Sequence, residues 1–194
     1  MTIRRASIVA LCVTLAAGVP APAHADERPV GQGFRTRGLT GGWGHSWRPF
    51  FGKTKSDISF VAFAPRMGWF VTERLELYGE GTLFVYVQPE PAVAAGLVGF
   101  AGRYHLSASG RWIPYVNAGM GLLWTSLDVP EIDRIFNFQL FVGVGFRQTR
   151  PRGPCLVFEF RNHHISNAGT AGQNLGINAA TVLVGVEWVL RPSR

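Results

Sequence analysis

The residues best suited to chemistry in this 194-residue chain are His164 and Ser166, separated only by Ile165. Side chains two apart on an extended strand point the same way. An imidazole held next to a hydroxyl can take its proton and turn it into a nucleophile. A third group follows at Asn178, placed at the start of the next predicted strand with matching parity. A polar group bonded to the far nitrogen of the ring would hold the useful tautomer. That combination points to hydrolytic chemistry. His163 adjoins His164 and invites a metal reading, but consecutive strand residues face opposite ways, so the two do not share an ion. No metal and no cofactor is expected.

The elements that must position these residues are strands. Leu156–Ser166 puts Phe158, Phe160, His164 and Ser166 on one face, and Glu159, Arg161 and His163 on the other. The same period of two runs through 136–146, where Phe136, Phe138, Leu140, Val142, Val144 and Phe146 oppose Asn137, Gln139, Phe141, Gly143 and Gly145. It recurs in 73–87 and 112–126. Turn clusters such as Gln-Pro-Glu-Pro and Arg-Pro-Arg-Gly-Pro separate the segments. Eight strands are predicted, near 38–48, 56–68, 73–87, 92–106, 112–126, 134–148, 154–167 and 176–190. Segments 38–48, 56–68 and 92–106 alternate least.

One face of these strands is bulky and apolar, and the other carries Asn, Gln, Gly and a few acids. A soluble barrel would turn the apolar face inward and show many charges outside. Here only 16% of residues are charged, against about 25% in soluble domains. The pattern predicts lipid outside and a narrow polar lumen. Its acids and arginines (Glu76, Glu80, Glu159, Arg161, Glu187) read as interior ion pairs. The six tryptophans (Trp43, Trp47, Trp69, Trp112, Trp124, Trp188) fall near strand ends, as interfacial girdles do. His45 and His105 have no partner legible in the sequence.

The N-terminus has another purpose. Met1–Arg5 is basic, Ala6–Val19 is apolar, and Ala23-His24-Ala25 is a small-x-small cleavage site. Residues 1–25 are read as a cleaved signal peptide and 26–194 as a single outer-membrane β-barrel domain. Cys12 falls in the signal, so Cys155 stands alone and forms no intramolecular disulfide. The formal charge of +7 suits an anionic partner such as a phosphorylated lipid, while export argues against nucleic acid. The fold expected is an all-β, eight-stranded antiparallel transmembrane barrel in the cell outer membrane. With both termini in the periplasm, the connections near 49–55, 88–91, 127–133 and 168–175 face outward. Arg48, Lys53 and Lys55 lie in the first of them, within reach of lipid phosphates or merely solvated.

His164-Ile165-Ser166-Asn167-Ala168-Gly169, followed by Asn174-Leu175-Gly176-Ile177-Asn178, resembles the active-site segment of the lipid A 3-O-deacylase family. The resemblance implies an outer-membrane barrel that hydrolyses the ester-linked acyl chain at position 3 of lipid A. It makes Ser166 the nucleophile, His164 the base and Asn178 the orienting group, where the family's type member has Glu. Asn167, Gly169 and Asn174 match positions near the oxyanion hole. The implied partners are lipid A or lipopolysaccharide and outer-membrane lipid, with homodimerisation left open. Two other readings fit the residues: a non-catalytic or inactive barrel of eight strands, and a soluble lipid-binding barrel of the lipocalin kind.

Overall fold

A computed structural model describes residues 30–48, 54–132, 134–150 and 153–191. The proposed signal peptide and Lys53 lie outside these. Eight strands are present: β1 (Arg35–Ser46), β2 (Ser59–Phe70), β3 (Leu75–Gln88), β4 (Ala92–His105), β5 (Trp112–Thr125), β6 (Phe136–Gln148), β7 (Cys155–Ser166) and β8 (Ile177–Leu190). Each pairs antiparallel with its chain neighbours, and β8 returns to β1, from Arg35 opposite Leu190 to Ser46 opposite Ala179. The sheet is closed and leaves no strand edge to satisfy.

The expected faces are the observed ones. On β6, Phe138, Leu140, Val142, Val144 and Phe146 are exposed, while Asn137, Gln139 and Phe141 are buried. β4 alternated poorly in sequence because of a bulge. Val98 pairs with Gly121 and Phe100 with Met120, leaving Gly99 as an extra residue. Outward positions therefore switch from odd (Val93, Leu97) to even (Phe100, Tyr104). On the outer wall Met67 is 73% and Phe100 80% exposed. An apolar belt of this extent belongs in hydrocarbon, not water. Trp43, Trp47 and Trp124 lie toward one rim and Trp69, Trp112 and Trp188 toward the other.

Two layers fill most of the lumen among the described residues. Toward the short turns, four arginines and four glutamates interlock among the described residues: Arg66, Arg103, Arg147 and Arg161 with Glu76, Glu80, Glu159 and Glu187. Arg66 meets Glu159 at 2.7 Å and Arg161 meets Glu80 at 2.7 Å. Eight buried charges are tolerable only because each is paired several times over. His105 joins this layer: its Nε2 accepts from Arg147 at 2.9 Å and its Nδ1 donates to the Arg74 carbonyl at 3.2 Å. Toward the long loops the filling is apolar, with Phe60, Phe84, Tyr86, Leu123, Ile165 and Ile177 packed together. Cys155 is buried on the lumen side of β7.

Candidate active site

His164 and Ser166 sit on the outer wall of β7, near the long-loop rim. Both are half-buried. His164 is flanked by Leu140 of β6 and Asn178 of β8, and Ser166 stands beside Phe138 of β6. His163 points into the lumen, between the rings of Phe84 (5.0 Å) and Phe141 (6.2 Å), so the two histidines are split across the wall as parity requires.

His164 Nδ1 lies 3.0 Å from Asn178 Oδ1. An amide oxygen only accepts, so Nδ1 carries the proton and Nε2 keeps its lone pair. Gly176 determines where that lone pair points. A Cβ built on Gly176 would lie 2.6 Å from His164 Cε1 and 3.3 Å from Nε2. The Cε1–Nε2 edge therefore faces Gly176. Since Ile165 pairs with Ile177, Gly176 is level with Ser166, so the basic edge of the ring is turned toward the height of the hydroxyl. Gly176 also has φ of 73°, a conformation open chiefly to glycine. Among the described residues no hydrogen bond joins Ser166 Oγ to His164; such bonds are often long before substrate arrives.

Asn178 is 7% exposed and is held from behind by Thr54, in the connection between β1 and β2. Thr54 Oγ1 donates to the Gly176 carbonyl (3.2 Å), accepts from Asn178 N (2.9 Å), and lies 3.5 Å from Asn178 Nδ2. Glu131, in the connection between β5 and β6, fastens that segment. Its carboxylate accepts from Lys55 N (2.6 Å), Ser56 N (2.6 Å) and Ser56 Oγ (2.9 Å), and its carbonyl accepts from Gly176 N (3.1 Å). Burial pushes the Glu131 carboxyl up, but the hydrogen bonds from Ser56 and Lys55 outweigh it and hold it below its ordinary value.

The loop after Ser166 is organised around Asn167, which is 0% exposed. Its backbone N–H donates to Asn174 Oδ1 (3.1 Å), its Nδ2 to the Gln173 carbonyl (2.6 Å), and its Oδ1 accepts from Gly169 N (2.9 Å). Its carbonyl accepts from Thr170 N and Oγ1. Arg134 fixes the far side through Thr170 O and Oγ1, both at 2.9 Å. Asn167 and Gly169 have thus committed their amides inside the loop, whereas Asn174 Nδ2 donates to nothing among the described residues.

Trp47 walls the opposite flank. Its backbone N–H donates to the Asn178 carbonyl (3.0 Å) and its indole N–H to Asn162 Oδ1 on β7 (2.7 Å). Asn162 lies beside Ala180 of β8, so the indole crosses β8 where its outward row narrows from valine to alanine. Trp47, Thr54, Glu131 and Asn162 were not legible as site residues, and Gly176 stood in the resembling segment without a role. Only Gly176 carried a local signal, a glycine ahead of an Ile-Asn strand start. His45 was also read as partnerless, yet its Nδ1 lies 2.8 Å from Ser59 Oγ and its Nε2 3.3 Å from Asp57. Ser59 opens β2 and Asp57 lies in the connection just before it.

No curated protein matches the chain by sequence. The barrel matches the crystal structure of the outer membrane enzyme PagL with a TM-score of 0.56 at 16% identity, covering 78% of this chain and 98% of that one. It matches Neisserial surface protein A (NspA) with a TM-score of 0.58 at 13% identity, covering 83% and 98%. At such identities these matches show the fold. The family model described as lipid A 3-O-deacylase (PagL) matches residues 40–187. The chain, an eight-stranded barrel of the outer membrane, belongs to the lipid A 3-O-deacylase family.

Proposed function

We propose that this protein deacylates lipid A with Ser166 as nucleophile, His164 as base and Asn178 as the group that orients the base. One observation carries the reading. The His164–Asn178 pair (3.0 Å) stands on the lipid-facing wall, on the same face as Ser166 and two residues from it. A lipid in the leaflet reaches this site without its acyl chain entering water. An ester carbonyl held over Ser166 is attacked by Oγ while His164 Nε2 takes the proton. The oxyanion that forms takes a hydrogen bond from Asn174 Nδ2, an amide of the loop that is still free to donate. Collapse breaks the ester bond, and His164 gives the proton to the departing sugar oxygen, which leaves as a hydroxyl. Water, activated by the same imidazole, then releases the fatty acid.

Asn178 orients the ring but adds no negative charge to stabilise the imidazolium, so the site runs below the rate an acid would support. The test is fatty-acid release from lipid A by protein refolded in detergent. The folded protein removes one acyl chain, and Asn178→Glu retains or raises the rate. Folded protein that leaves lipid A intact would favour the non-catalytic barrel.

A further inference from the structure

An amide beside an imidazole can present either its oxygen or its nitrogen. If Asn178 turned its Nδ2 to the ring, Nδ1 would have to accept and the proton would move to Nε2. The nitrogen facing the Ser166 level would then have no lone pair. In serine proteases, replacing the triad acid by its amide lowers kcat about 10,000-fold through this wrong tautomer. An amide therefore works in this position only if something else dictates which end faces the ring.

Thr54 meets that requirement. Its hydroxyl proton is committed to the Gly176 carbonyl (3.2 Å), so toward Asn178 the oxygen presents lone pairs only. One lone pair takes Asn178 N (2.9 Å) and the other faces Nδ2 (3.5 Å). A flipped amide would place Oδ1 against an oxygen with no proton to offer. Freeing that proton would strip the Gly176 carbonyl of its bond to Thr54. Thr54 itself is buried, and the next two residues are tied to the Glu131 carboxylate.

We propose that Thr54 is the positioning residue that lets an amide stand where the family's type member has an acid: it selects the amide face of Asn178 and, through it, the tautomer of His164. The assignment rests on the esterase reading for its consequence but not for its geometry. The test is a double-mutant cycle. Thr54→Val keeps the shape and removes the hydroxyl. It should lower kcat at least tenfold with KM within threefold, and Thr54→Ser should restore most of the loss. In an Asn178→Asp background, where both carboxylate oxygens accept, the same Thr54→Val change should cost less than threefold. Equal losses in both backgrounds would reduce Thr54 to a structural residue and overturn the assignment, as would no loss in either. A second readout needs no turnover. Nitrogen-15 spectra of the His164 ring should show Nδ1–H in the unmodified protein and a shift toward Nε2–H in Thr54→Val. That shift without any hydrolysis would uphold the assignment and refute the esterase reading. Hydrolysis with an unmoved tautomer would do the reverse.

Discussion

Replacing Gly176 with alanine probes the tightest contact of the site. The new methyl would start 2.6 Å from His164 Cε1, and ordinary contact begins near 3.4 Å, so the ring must retreat by roughly 1 Å. Its bond to Asn178 is 3.0 Å long and does not survive that movement with good geometry. A displacement of this size at a reacting group costs on the order of 100-fold in rate. There is also a backbone cost, since φ at 176 is 73° and a non-glycine residue there loses about 1–2 kcal/mol. Gly153 separates the two effects. It has φ of 82° and lies on the opposite rim, where an added methyl would meet nothing within 4 Å among the described residues. Gly153→Ala carries the backbone cost alone. Both variants should lose about 1–2 kcal/mol in urea unfolding, with a further loss at 176 from the clash. Only Gly176→Ala should lose activity, mostly in kcat. Equal activity in the two variants would refute the inferred ring position.

Other perturbations reach the framework around the site. Glu131 has a folded value below its reference of 4.5; its stabilisation is present above that reference and fades as pH falls through the lower folded value. The protection factors of the Lys55, Ser56 and Gly176 amides, taken relative to their intrinsic exchange at each pH, should therefore fall on acidification, and Glu131→Gln should flatten that response. Asn167→Ala removes the acceptor of Gly169 N and the donor to Gln173. It should open the 167–175 loop to proteolysis and cut activity at least tenfold while the barrel stays folded. Glu159→Gln leaves Arg66, Arg103 and Arg161 short of a carboxylate in the lumen. It should cost about 3–5 kcal/mol in unfolding free energy with little change in kcat once folded.

The barrel was legible because lipid outside and packed polar lumen inside impose a period of two on every strand. The rule failed where geometry broke the period. In β4 the extra residue Gly99 shifts the phase, and in β1 the inward row is Thr36, Gly38, Thr40, Gly42, Gly44 and Ser46, too small to contrast with its neighbours. The same logic placed His164, Ser166 and Asn178 on one outer face, since face and register follow from strand pairing. Thr54 and Glu131 were hidden for the opposite reason. They act from irregular connections and reach distant parts of the chain, bridging 124 and 75 positions in their shortest bonds, and no local pattern encodes such contacts. The hydrogen bonds that engage the Asn167 side chain and the Gly169 N–H exist only in the folded loop and had no signature in the sequence.

The central claim is that a serine on the lipid wall, activated by His164, cleaves a lipid ester. Mass spectrometry of lipid A incubated with the unmodified protein and with Ser166→Ala, both folded in detergent, tests it most directly. The expected result is loss of one acyl chain with the unmodified protein and intact lipid A with the variant. Deacylation that persists in Ser166→Ala would contradict the claim.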